Sequence, residues 1–123
     1  NEYGITLVST SESFRKRIEP GAAPWKKRVD ALYALHKNGS KTWVSIEPYP
    51  TPNIQRQNLQ ELLKTINFVD RIIFGRMNYS KAVSEYKGYK HFFHEKALEV
   101  IDFCRRESIQ FHIKEGTMMD QCE

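Results

Sequence analysis

The sequence predicts an α/β protein in which parallel strands alternate with helices. Short runs rich in β-branched and aromatic residues, typical of strands, occupy residues 5–10, 42–47, 70–75 and 110–114. Apolar residues at helical spacing fill most of the intervals between these runs. Because strands separated by helices cannot pair as hairpins, crossover connections must join them, and such connections make the sheet parallel.

The length allows one domain at most, or part of one. The chain has 123 residues, of which 40% are apolar, and this is enough for a core. The composition is unlike that of collagen, a coiled coil or a disulfide scaffold. No run of 18 or more apolar residues is present, so no membrane span is expected. No export signal is visible and the only cysteines are Cys104 and Cys122, so we expect a cytoplasmic protein with reduced thiols.

The first predicted helix begins at Pro24 and ends before Gly39, since proline is favoured in the first turn and glycine after the last. Its buried stripe comprises Val29, Leu32, Leu35 and His36. The second helix follows Thr51 and Pro52, with Thr51 as its N-cap. Its buried face comprises Ile54, Leu59, Leu62, Leu63 and Ile66.

The third predicted helix covers residues 92–108. Its apolar side carries Ala97, Leu98, Ile101, Phe103 and Cys104. This position predicts that the thiol of Cys104 is buried. A short and more polar helix is expected at 80–86, and residues 117–123 are predicted to form a frayed tail that includes Cys122.

Ligands of parallel α/β sheets bind at the carboxyl ends of the strands. Four polar or Gly- and Pro-bearing groups follow the predicted strands, at residues 9–11, 47–49, 75–78 and 114–116. Parallel topology would place these groups along one rim. The sequence therefore predicts the binding site at this rim.

Two of these groups carry specific chemistry. Glu47 ends an apolar strand before a stiff proline-rich loop, so its carboxylate could accept hydrogen bonds from an amine or hydroxyl. The alternative is a salt bridge across the rim to Arg28 or Arg76. Gly75 could let a flat ring approach the backbone, with Arg76 and Asn78 beside it. The alternative there is a turn in which Gly75 only relieves a steric clash.

The segment from Arg15 to Arg28 has six basic residues and one acid, Glu19, in a chain of net charge +4. The Pro20-Gly21 turn before the first predicted helix would expose N–H groups at the positive end of the helix dipole. A carboxylate or phosphate could bind there. The alternative is a rigid connection on a solvated face, with an ion pair between Arg17 and Glu19.

Other chemical motifs are weak or absent. His91 and His94 could bind a metal, but their aromatic neighbours and the lack of a nearby third ligand favour packing at a helix start. The sequence contains no G-x-x-x-x-G-K-[ST], G-x-G-x-x-G or G-x-S-x-G. Kinase, dinucleotide-binding and hydrolase functions therefore have no motif to support them.

Four segments together form a recognisable pattern, at residues 7–10, 17–29, 35–39 and 43–48. The most specific of them is E-P-G-x-x-P-x-x-x-R-[IV], here Glu19 to Val29 with Arg28 at the arginine. The pattern resembles the latter half of a radical SAM protein, and is most similar to the spore photoproduct lyase-like branch. The resemblance covers residues 5–116.

The resemblance implies the C-terminal half of a partial (β/α)6 TIM-type barrel. Such a barrel binds S-adenosylmethionine on a [4Fe-4S] cluster and generates a 5′-deoxyadenosyl radical, and the branch name implies DNA repair. The implied cofactor-binding residues are Ser9, Thr10, Glu19, Arg28, Glu47, Phe74, Arg76 and Asn78. Ser9 and Thr10 would face the ribose or methionine part, Glu47 would end the fifth strand, and residues 74–78 would lie near the adenine.

One departure bears on activity. The cluster ligands of that family form C-x-x-x-C-x-x-C, which this sequence lacks, and Cys104 and Cys122 have the wrong spacing. The first strand here matches the fourth strand of the barrel. We therefore expect a C-terminal fragment, inactive alone, whose partner is the missing N-terminal half. The unpaired edge of the first strand further predicts dimers through strand pairing.

A second hypothesis belongs to a different class. The chain would be a small non-catalytic α/β module that binds nucleic acid or another anionic partner through its basic segment. The upstream reading frame discriminates between the two hypotheses. A C-x-x-x-C-x-x-C motif about 100–150 residues earlier, the length of three β-α units, supports the first.

Overall fold

The computed structural model of the chain describes residues 1–18, 20–78 and 80–119. In chain order, its elements are β1 (Glu2–Thr6), α1 (Glu12–Ile18), α2 (Trp25–Lys37), β2 (Lys41–Tyr49), α3 (Leu59–Thr65), β3 (Arg71–Arg76), α4 (Lys81–Glu85), α5 (Tyr89–Glu107) and β4 (Gln110–Ile113). The strands form a four-stranded sheet in the order β1-β2-β3-β4, and every neighbouring pair is parallel. The predicted α/β class and parallel sheet are confirmed.

The helices cover one face of the sheet. In β2 and β3, alternate side chains are fully buried: Val44 and Ile46 lie in register with Ile72 and Phe74. Helix α2 packs on β1 and β2, and α5 packs on β3 and β4. The core lies between these helices and the sheet, since residues of α2, α3 and α5 join the strand residues in one apolar cluster.

The opposite face of the sheet carries the side chains that alternate with this core. Its rows are set by strand register: Thr6, Ser45, Ile73 and His112 form one row, and Gly4, Trp43, Arg71 and Gln110 form the next. None of these residues is fully buried. Trp43 and Ile73 lie outside the helix-side core. We call this surface the uncovered face.

Strand β1 begins earlier and ends earlier than predicted, at Glu2–Thr6 instead of 5–10. The reason is a contact between strands. The indole of Trp43 lies over Gly4, where an added Cβ would be 2.0 Å from two ring atoms. Gly4 gave no local strand signal because glycine is depleted in strands, although the indole on β2 requires a residue without a side chain here. Leu7 and Val8 are buried but follow the strand.

The prediction that Thr51 caps the second helix is wrong. Helix α3 begins at Leu59, and Asn58 is its N-cap, with Oδ1 accepting from the Glu61 N–H at 3.2 Å. Thr51 is fully buried, and its hydroxyl donates to the side chain of Asn53. The Thr51 carbonyl accepts from the Ile54 N–H at 2.9 Å, in a turn that does not continue as a helix.

Helix α1 was not predicted, because its seven residues are mostly charged and only Phe14 and Arg15 are buried. The side chain of Ser11 supports its start by accepting from the Phe14 N–H at 3.2 Å. Helix α2 follows Pro24 and ends before Gly39, as predicted. The short helix expected at 80–86 is α4.

Helix α5 begins at Tyr89, three residues before the predicted start. Of its predicted apolar side, Ala97, Phe103 and Cys104 are buried, but Leu98 is 43% exposed. The fully buried positions also include Phe93 and Val100. Thr117, predicted in the frayed tail, is 2% exposed. Residues 120–123, and with them Cys122, lie outside the described residues.

Candidate functional site

The C-terminal ends of the four parallel strands lie at one edge of the sheet, which we call the carboxyl edge. Of the sequence-predicted site residues, Ser9, Thr10, Glu47 and Asn78 lie in or directly after strands at this edge. Glu19 lies outside the described residues. The remaining three, Phe74, Arg76 and Arg28, occupy distinct surroundings.

An ion pair crosses the middle of the carboxyl edge on the uncovered face. Glu47 Oε1 lies 3.6 Å from Lys114 Nζ, although β3 runs between their strands. Gly75 makes this contact feasible, because an added Cβ there would lie 2.9 Å from Cδ and Oε2 of Glu47. The glycine therefore accommodates the carboxyl group of Glu47.

The partner of Glu47 differs from both predicted alternatives. The sequence suggested Arg28 or Arg76, whereas the structure shows Lys114. The Lys114 side chain is 45% exposed and the Glu47 side chain 33%. An ion pair this exposed contributes about 0–1 kcal/mol to folding. Both charged groups thus remain accessible to a ligand, and the pair is held weakly enough to be reorganised by one.

The loop after β1 is fixed against the loop after β2. Gln57 Nε2 donates to the Val8 carbonyl at 2.7 Å. Ser9 is 5% exposed, and its hydroxyl accepts from the Ser11 N–H at 3.0 Å. Thr10 is exposed. Thr10 therefore presents its side chain at this edge, while the hydroxyl of Ser9 supports the loop.

Arg28 links the start of α2 to the end of β1 through hydrogen bonds. Its guanidinium donates to the Thr6 carbonyl and to the Ala23 carbonyl, the latter at 3.1 Å. Both acceptors are backbone oxygens of this chain. The arginine of the E-P-G-x-x-P-x-x-x-R segment thus orders the connection at the carboxyl edge.

The N-terminus of α2 is already occupied by a carboxylate of this chain. Glu12 Oε2 accepts from the Trp25 N–H at 3.0 Å, and Glu12 Oε1 lies 2.7 Å from Arg15 Nε. The Trp25 N–H and, less strongly, Arg15 hold the pKa of Glu12 below its usual value. The expectation of free N–H groups for a bound anion at this turn is therefore corrected, because Glu12 takes that position.

The basic segment does not form a uniform cationic surface. Arg15 is 8% exposed and donates to the Ala22 carbonyl. Lys26 lies 3.5 Å from Asp30, and Arg17 lies over the ring of Phe14. Much of the charge in this segment is thus engaged within the chain.

Three predicted site residues at or just after the end of β3, namely Phe74, Arg76 and Asn78, have different surroundings. Phe74 is fully buried on the helix side, with its ring centroid 5.4 Å from that of Tyr49. Arg76 also lies on the helix side, between the rings of Tyr89 and Phe93. Asn78 is exposed. The side chain of Phe74 therefore belongs to the core, and only Asn78 of the three is presented openly at the edge.

Burial raises the pKa of the Cys104 thiol to about 11, and that of the Tyr49 hydroxyl to about 12. The predicted burial of Cys104 is confirmed. His94 Nδ1 accepts from the Met119 N–H at 3.1 Å. Within residues 1–18, 20–78 and 80–119, no three His, Cys, Asp or Glu side chains cluster closely enough to hold a metal ion.

Two cavities lie at opposite edges of the sheet. A cavity of about 440 Å³ lies at the amino ends of the strands, beside Thr42, Asp70 and Gln110. Its polar groups pair with one another, since Asp70 Oδ2 accepts from the Thr42 N–H at 2.8 Å. A cavity of about 250 Å³ lies at the carboxyl edge, beside Arg76. We favour the smaller one as functional, because ligands of parallel sheets bind at the carboxyl edge.

The fold and its carboxyl edge define a parallel α/β protein in which α2, α3 and α5 pack on one side of the sheet. The sequence is 30% identical over 100 residues to an uncharacterized protein, MJ0683, of Methanocaldococcus jannaschii. The match covers 81% of this chain and 38% of that protein, so the chain spans less than two fifths of the relative's length. No protein-family model matches the sequence, and no solved structure matches it. No helix in the described ranges is both long and apolar enough to traverse a bilayer.

Proposed function

We propose that this chain supplies C-terminal β/α units of a partial (β/α)6 TIM-type barrel in a radical SAM enzyme. The observation that carries the proposal is the sheet order β1-β2-β3-β4 with the helices on one face. A doubly wound sheet reverses its strand order and has helices on both faces. A barrel keeps chain order and turns its other face inward. The uncovered face would then be the interior wall.

The carboxyl edge would bind S-adenosylmethionine. Glu47 lies at this edge of the uncovered face and is 33% exposed, so it can accept hydrogen bonds from an ammonium or hydroxyl group. Thr10 and Asn78 are exposed and follow β1 and β3, the two strands that flank β2. Lys114 offers a cation for a carboxylate. A ligand with both an ammonium and a carboxylate can therefore exchange partners with the Glu47–Lys114 pair without leaving either charge unpaired.

The residues of this chain do not fit an iron–sulfur cluster. Such clusters are held by cysteine thiolates. Burial raises the thiol pKa of Cys104 to about 11, which opposes thiolate formation. In this proposal the cluster ligands, and with them the radical chemistry, belong to the N-terminal half of the enzyme, and this chain alone is inactive. The substrate would be a DNA lesion, as the resemblance to the spore photoproduct lyase-like branch implies.

The proposed partner of this chain is that N-terminal half, which would pair with β1. The outer edge of Glu2–Thr6 has no neighbouring strand among the described residues. Unpaired edges recruit further strands, so two copies of the separate chain should pair there at high concentration. We propose a cytoplasmic location, because cysteine-ligated clusters require reduced thiols.

The second hypothesis, an anion-binding module acting through residues 15–28, has less support. Arg15 and Arg28 donate to carbonyl groups of this chain, and Glu12 occupies the start of α2. These groups would have to be released before they could bind nucleic acid. The geometry therefore favours the barrel.

The test begins with the reading frame upstream of Asn1. The proposal requires a C-x-x-x-C-x-x-C motif there, and a start codon immediately before Asn1 would refute it. The longer protein should then be purified anaerobically with its cluster and titrated with S-adenosylmethionine by calorimetry.

In that protein, Glu47→Gln should weaken S-adenosylmethionine binding by about 1–3 kcal/mol, the cost of an unmet hydrogen bond to a charged group. Glu85→Gln is the matched control, because Glu85 is exposed at the end of α4, away from the uncovered face. Equal affinities for parent and Glu47→Gln would remove Glu47 from the site. Absence of any S-adenosylmethionine binding by the cluster-loaded protein would overturn the whole proposal.

A further inference from the structure

Arg76 lies against two aromatic rings at the carboxyl edge and has no charged partner among the described residues. Its guanidinium carbon lies 5.0 Å from the ring centroid of Tyr89 and 5.2 Å from that of Phe93. Rings at both distances fix the plane of the guanidinium and leave its in-plane N–H groups to bind acceptors. Within the described residues, Arg76 forms no ion pair, and its buried Nε has no hydrogen-bond partner. A buried N–H group without an acceptor is unfavourable, so an acceptor that reached it through a small shift of the guanidinium would stabilise the side chain.

The cavity beside Arg76 is cationic. It has a volume of about 250 Å³ and is lined by Arg76, Lys90, Gly116, Thr117, Met118 and Met119. Two of these residues are cations and none is acidic. The volume equals about eight times the ~30 Å³ that one water occupies in the liquid, which leaves room for a tetrahedral anion with part of its hydration.

Three hydrogen bonds hold the segment after β4, which forms part of the cavity wall. The Thr117 N–H donates to the Lys114 carbonyl at 3.1 Å, and the Thr117 hydroxyl accepts from the Arg76 N–H at 3.3 Å. The Met119 N–H donates to His94 at 3.1 Å. Thr117 itself is 2% exposed. The segment after β4 is therefore ordered against α5, and the cavity exists before a ligand arrives.

The chemistry selects a doubly charged oxyanion. A planar guanidinium can donate two parallel hydrogen bonds to a carboxylate or a phosphate. The ammonium of Lys90 adds a second positive charge in the same cavity, and this favours a dianion over a carboxylate. Lys90 lies in the first turn of the 19-residue helix α5, which has no acidic residue in that turn. The positive end of the helix dipole acts in the same direction.

We propose that Arg76 and Lys90 form a binding site for a phosphate monoester. The site is on the helix side of the carboxyl edge, so it is separate from Glu47 on the uncovered face. It does not depend on the radical SAM proposal, since it requires neither a cluster nor S-adenosylmethionine. The monoester can be carried by a mononucleotide or by the 5′ end of a nucleic-acid strand, and both present the same dianionic group.

The first experiment is a titration of the ¹⁵N-labelled protein with inorganic phosphate, followed by amide chemical shifts. Saturable shifts are expected at Lys90, Gly116 and Thr117. Arg76→Gln and Lys90→Gln should each weaken binding about tenfold, while Lys81→Gln should not, because Lys81 is exposed and does not line the cavity. Arg76→Lys should bind more weakly than the parent, since it keeps the charge but loses the planar pair of donors.

Arg76 packs between two rings, so its variants require a check of folding by circular dichroism. Lys90 is exposed, and Lys90→Gln keeps the test decisive if Arg76→Gln does not fold. Shifts that are scattered over unrelated lysines, or that Lys81→Gln reduces as much as Lys90→Gln, would overturn the proposal. So would the absence of saturable shifts.

A second titration distinguishes the source of the phosphate. Its ligands are a nucleoside 5′-monophosphate, the matching nucleoside, and a short single strand with and without a 5′-phosphate. Binding that requires the phosphate in both pairs supports the site, and the tighter of the two phosphorylated ligands identifies its source. Equal binding of phosphorylated and unphosphorylated ligands would exclude a phosphate monoester site.

Discussion

The two strand glycines, Gly4 and Gly75, provide a paired test of the uncovered face. A Cβ added at Gly4 would lie 2.0 Å from two atoms of the Trp43 indole, and one at Gly75 would lie 2.9 Å from the Glu47 carboxyl group. The indole is rigid, whereas the carboxyl group is the end of a side chain that can rotate away. We therefore expect Gly4→Ala to destabilise the fold and Gly75→Ala to leave its stability nearly unchanged.

The expected magnitudes follow from two opposing effects at each site. Replacing a strand glycine by alanine stabilises the fold by about 0.5–1 kcal/mol through chain entropy. At Gly4, overpacking against the indole costs about 1–3 kcal/mol, which leaves a net loss of up to about 2.5 kcal/mol. At Gly75, the entropic gain is offset by loss of the Glu47–Lys114 pair, worth about 0–1 kcal/mol.

Urea unfolding followed by circular dichroism measures both differences in the free energy of unfolding. The fluorescence of Trp43, in a Trp25→Phe background, reports displacement of the indole, since these are the only two tryptophans. Equal stability of the two glycine variants, together with unchanged Trp43 emission in Gly4→Ala, would refute the packing of the indole over Gly4.

Three further outcomes are expected. Phe93→Ala should lower the free energy of unfolding, measured with urea, by about 3–5 kcal/mol because Phe93 is fully buried. Leu98→Ala should lower it by less than about 1 kcal/mol because the Leu98 side chain is 43% exposed. The pKa of Glu12 is lowered in the folded state. The hydrogen bond that Glu12 accepts from the Trp25 N–H therefore stabilises the fold above the unfolded-state pKa, and this stabilisation is lost as pH falls through the folded-state pKa. The difference in the free energy of unfolding between the parent and Glu12→Gln should therefore vanish in acid. Cys104, with a thiol pKa raised to about 11, should react with a disulfide reagent at pH 8 in a Cys122→Ser background only when urea unfolds the protein, and rapid labelling of that variant in its native state would contradict the burial of Cys104.

The parallel sheet was predictable because it follows from alternation of local patterns. The runs at 42–47, 70–75 and 110–114 are rich in β-branched and aromatic residues, and the structure places β2, β3 and β4 on them within two residues at each end. Helix α1 was missed, because its burial depends on Phe14 and on contacts with α2 that no local period records. The misplaced start of α3 has a related cause, since Asn58 and Thr51 are both acceptable N-cap residues and tertiary packing decides between them.

The candidate site was predictable in position but not in its contacts. Strand ends located the carboxyl edge, where Glu47 and Lys114 both lie. Their pairing depends on the register of three strands and on Gly75 between them, which a single sequence does not reveal. The helix-side position of Arg76 likewise depends on the alternation of side chains along β3. Sequence alone could have indicated it, since Phe74 and Arg76 are two residues apart and so share a face.

The uncovered face changes in character along the strand direction. At its amino end the Trp43 indole lies flat over Gly4, midway the face presents Ser45 beside Ile73, and at its carboxyl end it presents the Glu47–Lys114 pair. The row of Trp43 also carries Arg71 and Gln110, so at the amino end the indole supplies an apolar surface only on the β1 and β2 side of the sheet. An apolar group that lies on this face can therefore pack against the indole only beside β1, whereas charged or polar side chains are present at both ends of the strands.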